Sequence, residues 1–174
     1  MKFSKEILLV LSIVLFTACQ KNEPQRYFSS STEIDVAKTL ITDYHEGNWD
    51  KWITHYADTA KIYQNAIKPK SPKETMESLK DILANVSSYK FDDKDLWYEM
   101  IIDDDDETWV NFWGNWRGTV AANGQELVIP VHLTLQFIEG KIVEEHGYYN
   151  LSEITAVLNE IATAAKMAEE EATE

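Results

Sequence analysis

The stretch of sequence that decides the fold covers residues 108–149 and reads TWVNFWGNWRGTVAANGQELVIPVHLTLQFIEGKIVEEHGYY. Its β-branched and aromatic residues alternate with polar ones, which is typical of strands whose two faces meet different surroundings. Turn-forming pairs interrupt the stretch twice, at Asn123-Gly124 and at Glu139-Gly140. The stretch therefore predicts three antiparallel strands that are joined by two hairpins.

The two turns also predict which side chains share a face of the sheet. Two-residue turns at both pairs would place Trp116 opposite Val131 and Leu133 opposite His146, because partners are counted outward from each turn. One face is then almost entirely apolar and must be covered by helices, since its exposure to water would be costly. The residues on this face are Val110, Phe112, Gly114, Trp116, Gly118, Val120, Leu127, Ile129, Val131, Leu133, Leu135, Phe137 and Ile142.

The polar residues that interrupt the apolar face predict a pocket beside the last strand. His146 is the best candidate for an acid or a base, because histidine is the residue type that most often transfers protons near neutral pH. A histidine among apolar side chains is more often a core residue with satisfied hydrogen bonds, and this alternative stays open. The other candidate ligand-binding residues are Tyr148, Trp116, Tyr63, Asn150 and Glu144.

The opposite face of the sheet is aromatic but half polar, which is typical of an interface. It predicts a homodimer that buries Trp109, Trp113, His132 and Tyr149. The same counting places His132 and His146 on opposite faces, so no two-histidine metal site is expected. No cofactor is expected either. The acidic residues 103–106 lack the Gly and the distal Glu of an EF-hand, and predict a solvated hairpin tip.

Helices precede and follow the strands. Ile34, Ala37, Leu40, Ile41 and Tyr44 recur at helical spacing, which predicts a helix that Thr32 caps and Gly47 ends. A short helix at residues 49–56 and a strand at residues 61–66 follow.

Ser71-Pro72-Lys73-Glu74 has the pattern of a capping box with Pro at the first helical position, and predicts a helix that includes Leu79 and Val86. From Tyr89 onward, four antiparallel strands form a meander, and Ser152 caps a final helix that extends to Ala165. The chain is thus predicted to be α+β, with a mostly antiparallel sheet, N-terminal helices and a C-terminal helix.

The N-terminus has the pattern of a bacterial lipoprotein. Lys2 and Lys5 precede an apolar run at residues 7–16, which is too short to span a bilayer that needs about 20 residues. Small residues then precede Cys19, as in a lipobox, although Phe16 stands where Leu is usual. Residues 1–18 are therefore predicted to be a signal peptide and Cys19 the lipid attachment site. Ordinary secretion with a free Cys19 is the alternative.

Beyond the signal peptide, we predict a tether at residues 19–31, a domain at residues 32–165 and an acidic tail at residues 166–174. The predicted location is the cell envelope, anchored to a bacterial membrane and facing the periplasm or the cell surface. The formal net charge of −14 repels nucleic acid and anionic lipid, so neither is expected as a partner. Contact with the membrane is expected through the acyl chains alone.

The order of these elements resembles the SnoaL-like branch of the nuclear transport factor 2-like superfamily. Residues 140–150, GKIVEEHGYYN, are similar to the last-strand pattern of that family, and residues 49–58, WDKWITHYAD, are similar to its early segment. The resemblance implies a curved sheet that helices wrap into a cone with an apolar pocket, and it implies homodimers. Some relatives catalyse acid and base chemistry in this pocket, whereas many have no known activity.

The sequence departs from the enzymes of the family where an acid is frequent, because Asn150 and Gly147 occupy two such positions. An amide cannot take up a proton as a general base at neutral pH. Binding of a small apolar or aromatic molecule is therefore the favoured function. The alternatives are a cofactor-independent isomerase, dehydratase or cyclase that uses His146, and a structural or assembly protein, so it is uncertain whether the chain is an enzyme.

The lipid anchor can be tested by the substitution Cys19→Ser. Without the thiol no acyl chain can be attached, so the variant should leave the membrane fraction or remain unprocessed. Cell fractionation and mass spectrometry of the variant beside the wild type measure both effects. A variant that stays in the membrane fraction with an unchanged mass contradicts the anchor.

Overall fold

A curved, unclosed sheet of seven strands is the centre of the fold in a computed structural model that describes residues 24–171. Helices pack against its inner face, where the apolar core lies. The elements are β1 (Tyr27–Phe28), α1 (Thr32–His45), α2 (Trp49–Trp52), β2 (Tyr56–Gln64), α3 (Pro72–Leu83), β3 (Val86–Phe91), β4 (Trp97–Ile102), β5 (Thr108–Val120), β6 (Glu126–Ile138), β7 (Lys141–Tyr149) and α4 (Ser152–Glu171).

The strands follow the order β1-β4-β5-β6-β7-β2, and β3 pairs with the second half of β5. Neighbouring strands are antiparallel except for β2, which runs parallel to β7. The predicted α+β class with a mostly antiparallel sheet is confirmed. The first predicted strand of the meander is divided into β3 and β4, because a 3₁₀ turn at Asp93–Asp95 interrupts it. Asp92 stabilises that turn by accepting from the Lys94 N–H and from Arg117.

Local capping explains where the first and third helices begin. The capping box of α3 is confirmed, since Ser71 Oγ accepts from the Glu74 N–H and the Glu74 carboxylate accepts from the Ser71 N–H. Ser31, rather than Thr32, caps α1 by accepting from the Ile34 N–H at 3.1 Å. Helix α3 ends at Leu83, so Val86 begins β3 and does not extend the helix as predicted.

Two glycines of β5 leave room for aromatic rings on the inner face. A Cβ atom at Gly118 would lie 2.1 Å from the ring of Trp116, and a Cβ atom at Gly114 would lie 2.6 Å from the ring of Phe112. Each ring therefore lies across the glycine two positions further along the strand. Only glycine permits this close approach, which places Trp116 against the core.

The first hairpin has a longer loop than predicted, but the faces of β5 and β6 are as expected. Residues 121–124 form the loop, because the Val120 N–H donates to the Gln125 carbonyl. Trp116 consequently lies opposite Ile129 instead of Val131. The register shifts by two residues, and since side chains alternate with a period of two, the apolar face remains the buried one.

The second hairpin has the predicted two-residue turn, with positive φ at both Glu139 and Gly140. Next to it, Phe137 pairs with Ile142 but Gln136 pairs with Glu144, which leaves Val143 as an extra, bulged residue of β7. One extra residue exchanges the faces of the strand beyond it. The prediction that His146 and Tyr148 project inward is therefore wrong.

Tyr27 and Phe28, which fall within the predicted tether at residues 19–31, form β1 and pair with β4. Arg26 also donates to the carbonyls of Ile102 and Asp103, which holds this segment at the edge of the sheet. At the other end, α4 extends to Glu171, past the predicted end at Ala165.

The signal peptide and Cys19 lie outside the described residues. Within residues 24–171, no helix is long and apolar enough to cross a bilayer.

Candidate ligand-binding cavity

A cavity of about 100 Å³ lies between the inner face of the sheet and the helices. Almost all of its lining is apolar or aromatic. The lining residues of the helices are Leu40, Ile41, Tyr44, Trp52, Leu79, Ile82 and Ile154. The lining residues of the sheet are Tyr56, Gln64, Phe91, Trp116, Ile129, Val131, Leu133, Glu145 and Tyr149. Leu151, between β7 and α4, also lines the cavity. The N-terminal half of the chain thus supplies one wall and the hairpins supply the other.

Glu145 is the one carboxylate among these lining residues. Its side chain is only 2% exposed, because the bulge at Val143 turns it to the inner face. The Tyr56 hydroxyl donates to Glu145 Oε2 at 2.5 Å, and Gln64 Nε2 donates to Oε1 at 3.5 Å. Parallel pairing of β2 with β7 brings these three side chains together from distant parts of the sequence.

Burial is the main influence on the protonation of this group. It raises the pKa of the Glu145 carboxyl, while the hydrogen bonds from Tyr56 and Gln64 and the charge of His146 lower that pKa by less. Burial also raises the pKa of Tyr56, and the charge of Glu145 raises it further. Burial thus shifts both groups toward their neutral forms.

Tyrosine and tryptophan supply the other polar atoms of the cavity. Trp116 Nε1 donates to the Tyr44 hydroxyl at 3.0 Å, which joins β5 to α1 across the cavity. Burial raises the pKa of both Tyr44 and Tyr149, so their hydroxyls stay neutral at physiological pH. The side chain of Asn65 holds the backbone of Tyr149 by donating to its carbonyl and accepting from its N–H.

Of the six predicted ligand-binding residues, only Trp116 lines the cavity. His146 lies on the outer face, where its Nε2 donates to Glu144 Oε1 at 2.8 Å and its ring stacks on that of Tyr63 at 4.7 Å. Tyr148 is on the same face and is 56% exposed. Asn150 follows β7 and accepts from the Ser152 N–H at the start of α4. His146 is therefore placed away from the cavity in which it was predicted to act.

The outer face carries a row of rings that crosses four strands, which we name the outer aromatic row: Trp97, Trp113, His132 and Tyr148. The rings of Trp113 and His132 stack at 4.7 Å, and those of His132 and Tyr148 at 6.3 Å. Tyr149, predicted for this face, lines the cavity instead.

His132 and His146 share the outer face, contrary to the prediction. Among residues 24–171, no three His, Cys, Asp or Glu side chains form a group that could hold a metal ion.

Sequence reasoning missed Glu145, Tyr56 and Gln64. The adjacent pair Glu144-Glu145 was a usable signal, because one of two successive strand residues must face inward in any register.

Sequence reasoning also missed the pair formed by Asp43 and His55. Asp43 is 4% exposed and accepts from His55 Nε2 at 2.7 Å, which ties α1 to the 3₁₀ turn before β2. Neither residue lines the cavity.

Comparison with known proteins supports this architecture. Residues 37–145 match the family of SnoaL-like domains. No curated protein matches the chain. Similar solved structures include PrhC from Penicillium brasilianum, with 14% identity and a TM-score of 0.62 over 77% of this chain and 90% of that one. IdmH, a proposed polyketide cyclase from Streptomyces antibioticus, has 14% identity and a TM-score of 0.60 over 74% and 99%.

A proposed polyketide cyclase from Xanthomonas campestris pv. campestris has 17% identity and a TM-score of 0.58 over 72% of this chain and 95% of that one. At such low identities these likenesses establish the fold alone.

The buried carboxyl predicts how stability depends on pH. Because the folded pKa of Glu145 is raised, the unfolded chain loses this proton first, and stability falls as pH rises from about 4.5 to the raised pKa. The substitution Glu145→Gln keeps an acceptor for Tyr56 but cannot ionise. Its stability relative to the wild type should therefore increase, by up to about 1.4 kcal/mol per pH unit in that window.

Urea unfolding at a series of pH values between 4.5 and 9 measures this difference. Glu144→Gln is the matched control, because its carboxylate lies on the outer face with a side chain 30% exposed. The control should not show the same trend. A constant difference between Glu145→Gln and the wild type contradicts a raised pKa at this residue.

Proposed function

This chain belongs to the SnoaL-like domain family, and we propose that it binds a small apolar or aromatic molecule in the cavity between its sheet and its helices. The observation that carries the proposal is the composition of the cavity. Aliphatic and aromatic side chains line it from both walls, and only a few polar atoms, centred on Glu145, face inward. Ligand sites typically combine such an apolar lining with a small number of polar groups that orient the ligand.

The size of the cavity limits the ligand. Its volume of about 100 Å³ is smaller than the roughly 150 Å³ of an engineered apolar cavity that holds benzene. A compact molecule, or one compact group of a longer molecule, fits without movement of the walls. Leu151 and Ile154 belong to the segment that enters α4, so a displacement of this helix would enlarge the cavity.

We propose further that the domain is anchored to a bacterial membrane through lipid on Cys19, within the cell envelope and facing the periplasm or the cell surface. The pattern of residues 1–19 supports the anchor. Strand β1 begins at Tyr27, only a few residues after Cys19 in the sequence, so the domain would stay close to the bilayer. An envelope location also limits the ligand to molecules that reach that compartment.

Acid and base catalysis in the same cavity is a second candidate function. Glu145 favours it, since burial raises the pKa of this carboxyl above its ordinary value, as in many carboxyls that act as an acid or a base in an apolar pocket. The reaction class would be that of a cofactor-independent isomerase, dehydratase or cyclase. His146, the acid or base predicted from the sequence, lies on the outer face and does not support this role.

The outer aromatic row supports the proposal that the protein is a homodimer. Trp97, Trp113 and Tyr148 are 71%, 40% and 56% exposed, so a monomer leaves these rings in water. Trp109 and His132 lie on the same face. A second copy that presents the same surface would bury these rings about a two-fold axis. An assembly role, without any ligand, would depend on this face alone.

Ligand binding can be tested by a thermal-shift screen of small apolar and aromatic molecules against the purified protein. A ligand at 100 times its Kd should stabilise the fold by about 2.7 kcal/mol. Val131→Phe fills part of the cavity and should abolish the shift. Val128→Phe, on the outer face of the same strand, should keep it. Equal shifts in both variants, or no stabilising molecule at all, contradict binding in the cavity.

The dimer can be tested by the substitution Trp113→Asp. A carboxylate in the middle of the outer aromatic row cannot be buried without a partner, so the variant should sediment as a monomer. Thr39→Asp, on the exposed side of α1, is the control and should leave the sedimentation unchanged. Analytical ultracentrifugation measures both. A wild type that is monomeric at high micromolar concentration contradicts the dimer.

A further inference from the structure

The carboxyl of Glu145 has no ion-pair partner in its ionised state. Both of its hydrogen-bond partners, Tyr56 and Gln64, are neutral and donate to it. Within residues 24–171, no ion pair includes Glu145. An ionised carboxylate here has no ion-pair partner in contact, and only the more distant charge of His146 acts on it. A protonated one can donate to the Tyr56 hydroxyl, so it is the ionised form that lacks a partner. A cation in the cavity would supply this missing partner.

Aromatic rings line the same cavity as this carboxyl. Tyr44, Trp52, Tyr56, Phe91, Trp116 and Tyr149 all line the cavity, and the rings of Trp52 and Tyr56 lie 4.8 Å apart. The face of an aromatic ring attracts a cation within about 6 Å of its centre, and cages of such rings recognise quaternary ammonium groups. A neutral acceptor would satisfy a protonated Glu145, but it would gain nothing from the electrostatic field of the rings.

The size of the cavity and the charge of the chain favour a cation as well. A volume of about 100 Å³ suits a compact head group better than a fused ring system. The formal net charge of −14 raises the local concentration of cations around the protein and lowers that of anions.

We propose that the cavity binds a small organic cation, an alkylammonium group whose positive charge pairs with the Glu145 carboxylate and packs against the surrounding aromatic rings. This inference rests on the proposed function, since it assumes that the cavity is a ligand site, and it specifies the chemical class of the ligand. Binding displaces the proton that burial favours on Glu145, and the ligand then supplies the counter-charge that Tyr56 and Gln64 cannot.

The test compares choline with 3,3-dimethylbutan-1-ol, a neutral molecule of nearly the same shape in which carbon replaces the charged nitrogen. Isothermal titration calorimetry at pH 8.5, where ionisation of Glu145 is easier, gives both dissociation constants. The wild type should bind choline roughly tenfold more tightly than the alcohol. Glu145→Gln should lose this preference, Glu144→Gln should retain it, and Val131→Phe should bind neither molecule.

The outcomes separate this inference from the proposed function. If the wild type binds the alcohol as tightly as choline, or if the Glu145→Gln variant still prefers choline, the proposal of a cation paired with Glu145 is wrong. The proposal of an apolar ligand site is not affected by either result. If choline does not bind while molecules from the thermal-shift screen still stabilise the protein, only the proposal of a cationic ligand is wrong. If neither choline nor any apolar molecule binds, both proposals fail. Circular dichroism of each variant verifies that it is folded.

Discussion

The bulge at Val143 is the constraint on which the candidate site depends. Two hairpins and an apolar face would form without it, but β7 would then present Glu144, His146 and Tyr148 to the core. The extra residue turns Glu145 inward, beside Tyr56 and Gln64 of the parallel strand β2. A local irregularity in one strand therefore determines both the chemistry of the cavity and the composition of the outer face.

Most of the fold could be predicted from the sequence, because its signals are local or periodic. The capping box at Ser71 and the positive-φ turn at Glu139-Gly140 depend on a few neighbouring residues. The faces of β5 and β6 were predicted correctly although the register was wrong by two residues, because side chains alternate along a strand with a period of two. The candidate site depends on one bulged residue of β7, Val143. A register shift of one residue there exchanges the inner and outer faces of the rest of the strand. No local signal distinguishes Val143 from an ordinary strand residue.

Large and small residues alternate on the inner face of β5, and Trp116 is the residue of this strand that lines the cavity. Trp116 lies across Gly118, and its Nε1 reaches the Tyr44 hydroxyl of α1. This bond spans the space that the side chains of an ordinary core would fill. Phe112 and Leu135, elsewhere on the inner face, belong to the closed part of the core, since both are fully buried. Stability comes from the closed part of the core, which leaves the open part available for a ligand.

Glu145 is difficult to explain as a structural residue. A buried carboxyl without a counter-charge destabilises a domain, and apolar residues of similar volume are often more stable in such places. Glu144 shows that the chain can place an acid one position away, at the surface, where it is paired with His146. Residues that break a local rule without a compensating contact are expected at functional sites. Tyr56 and Gln64 are neutral, so an ionised Glu145 has no ion-pair partner in contact, and a bound cation is a partner that can supply one.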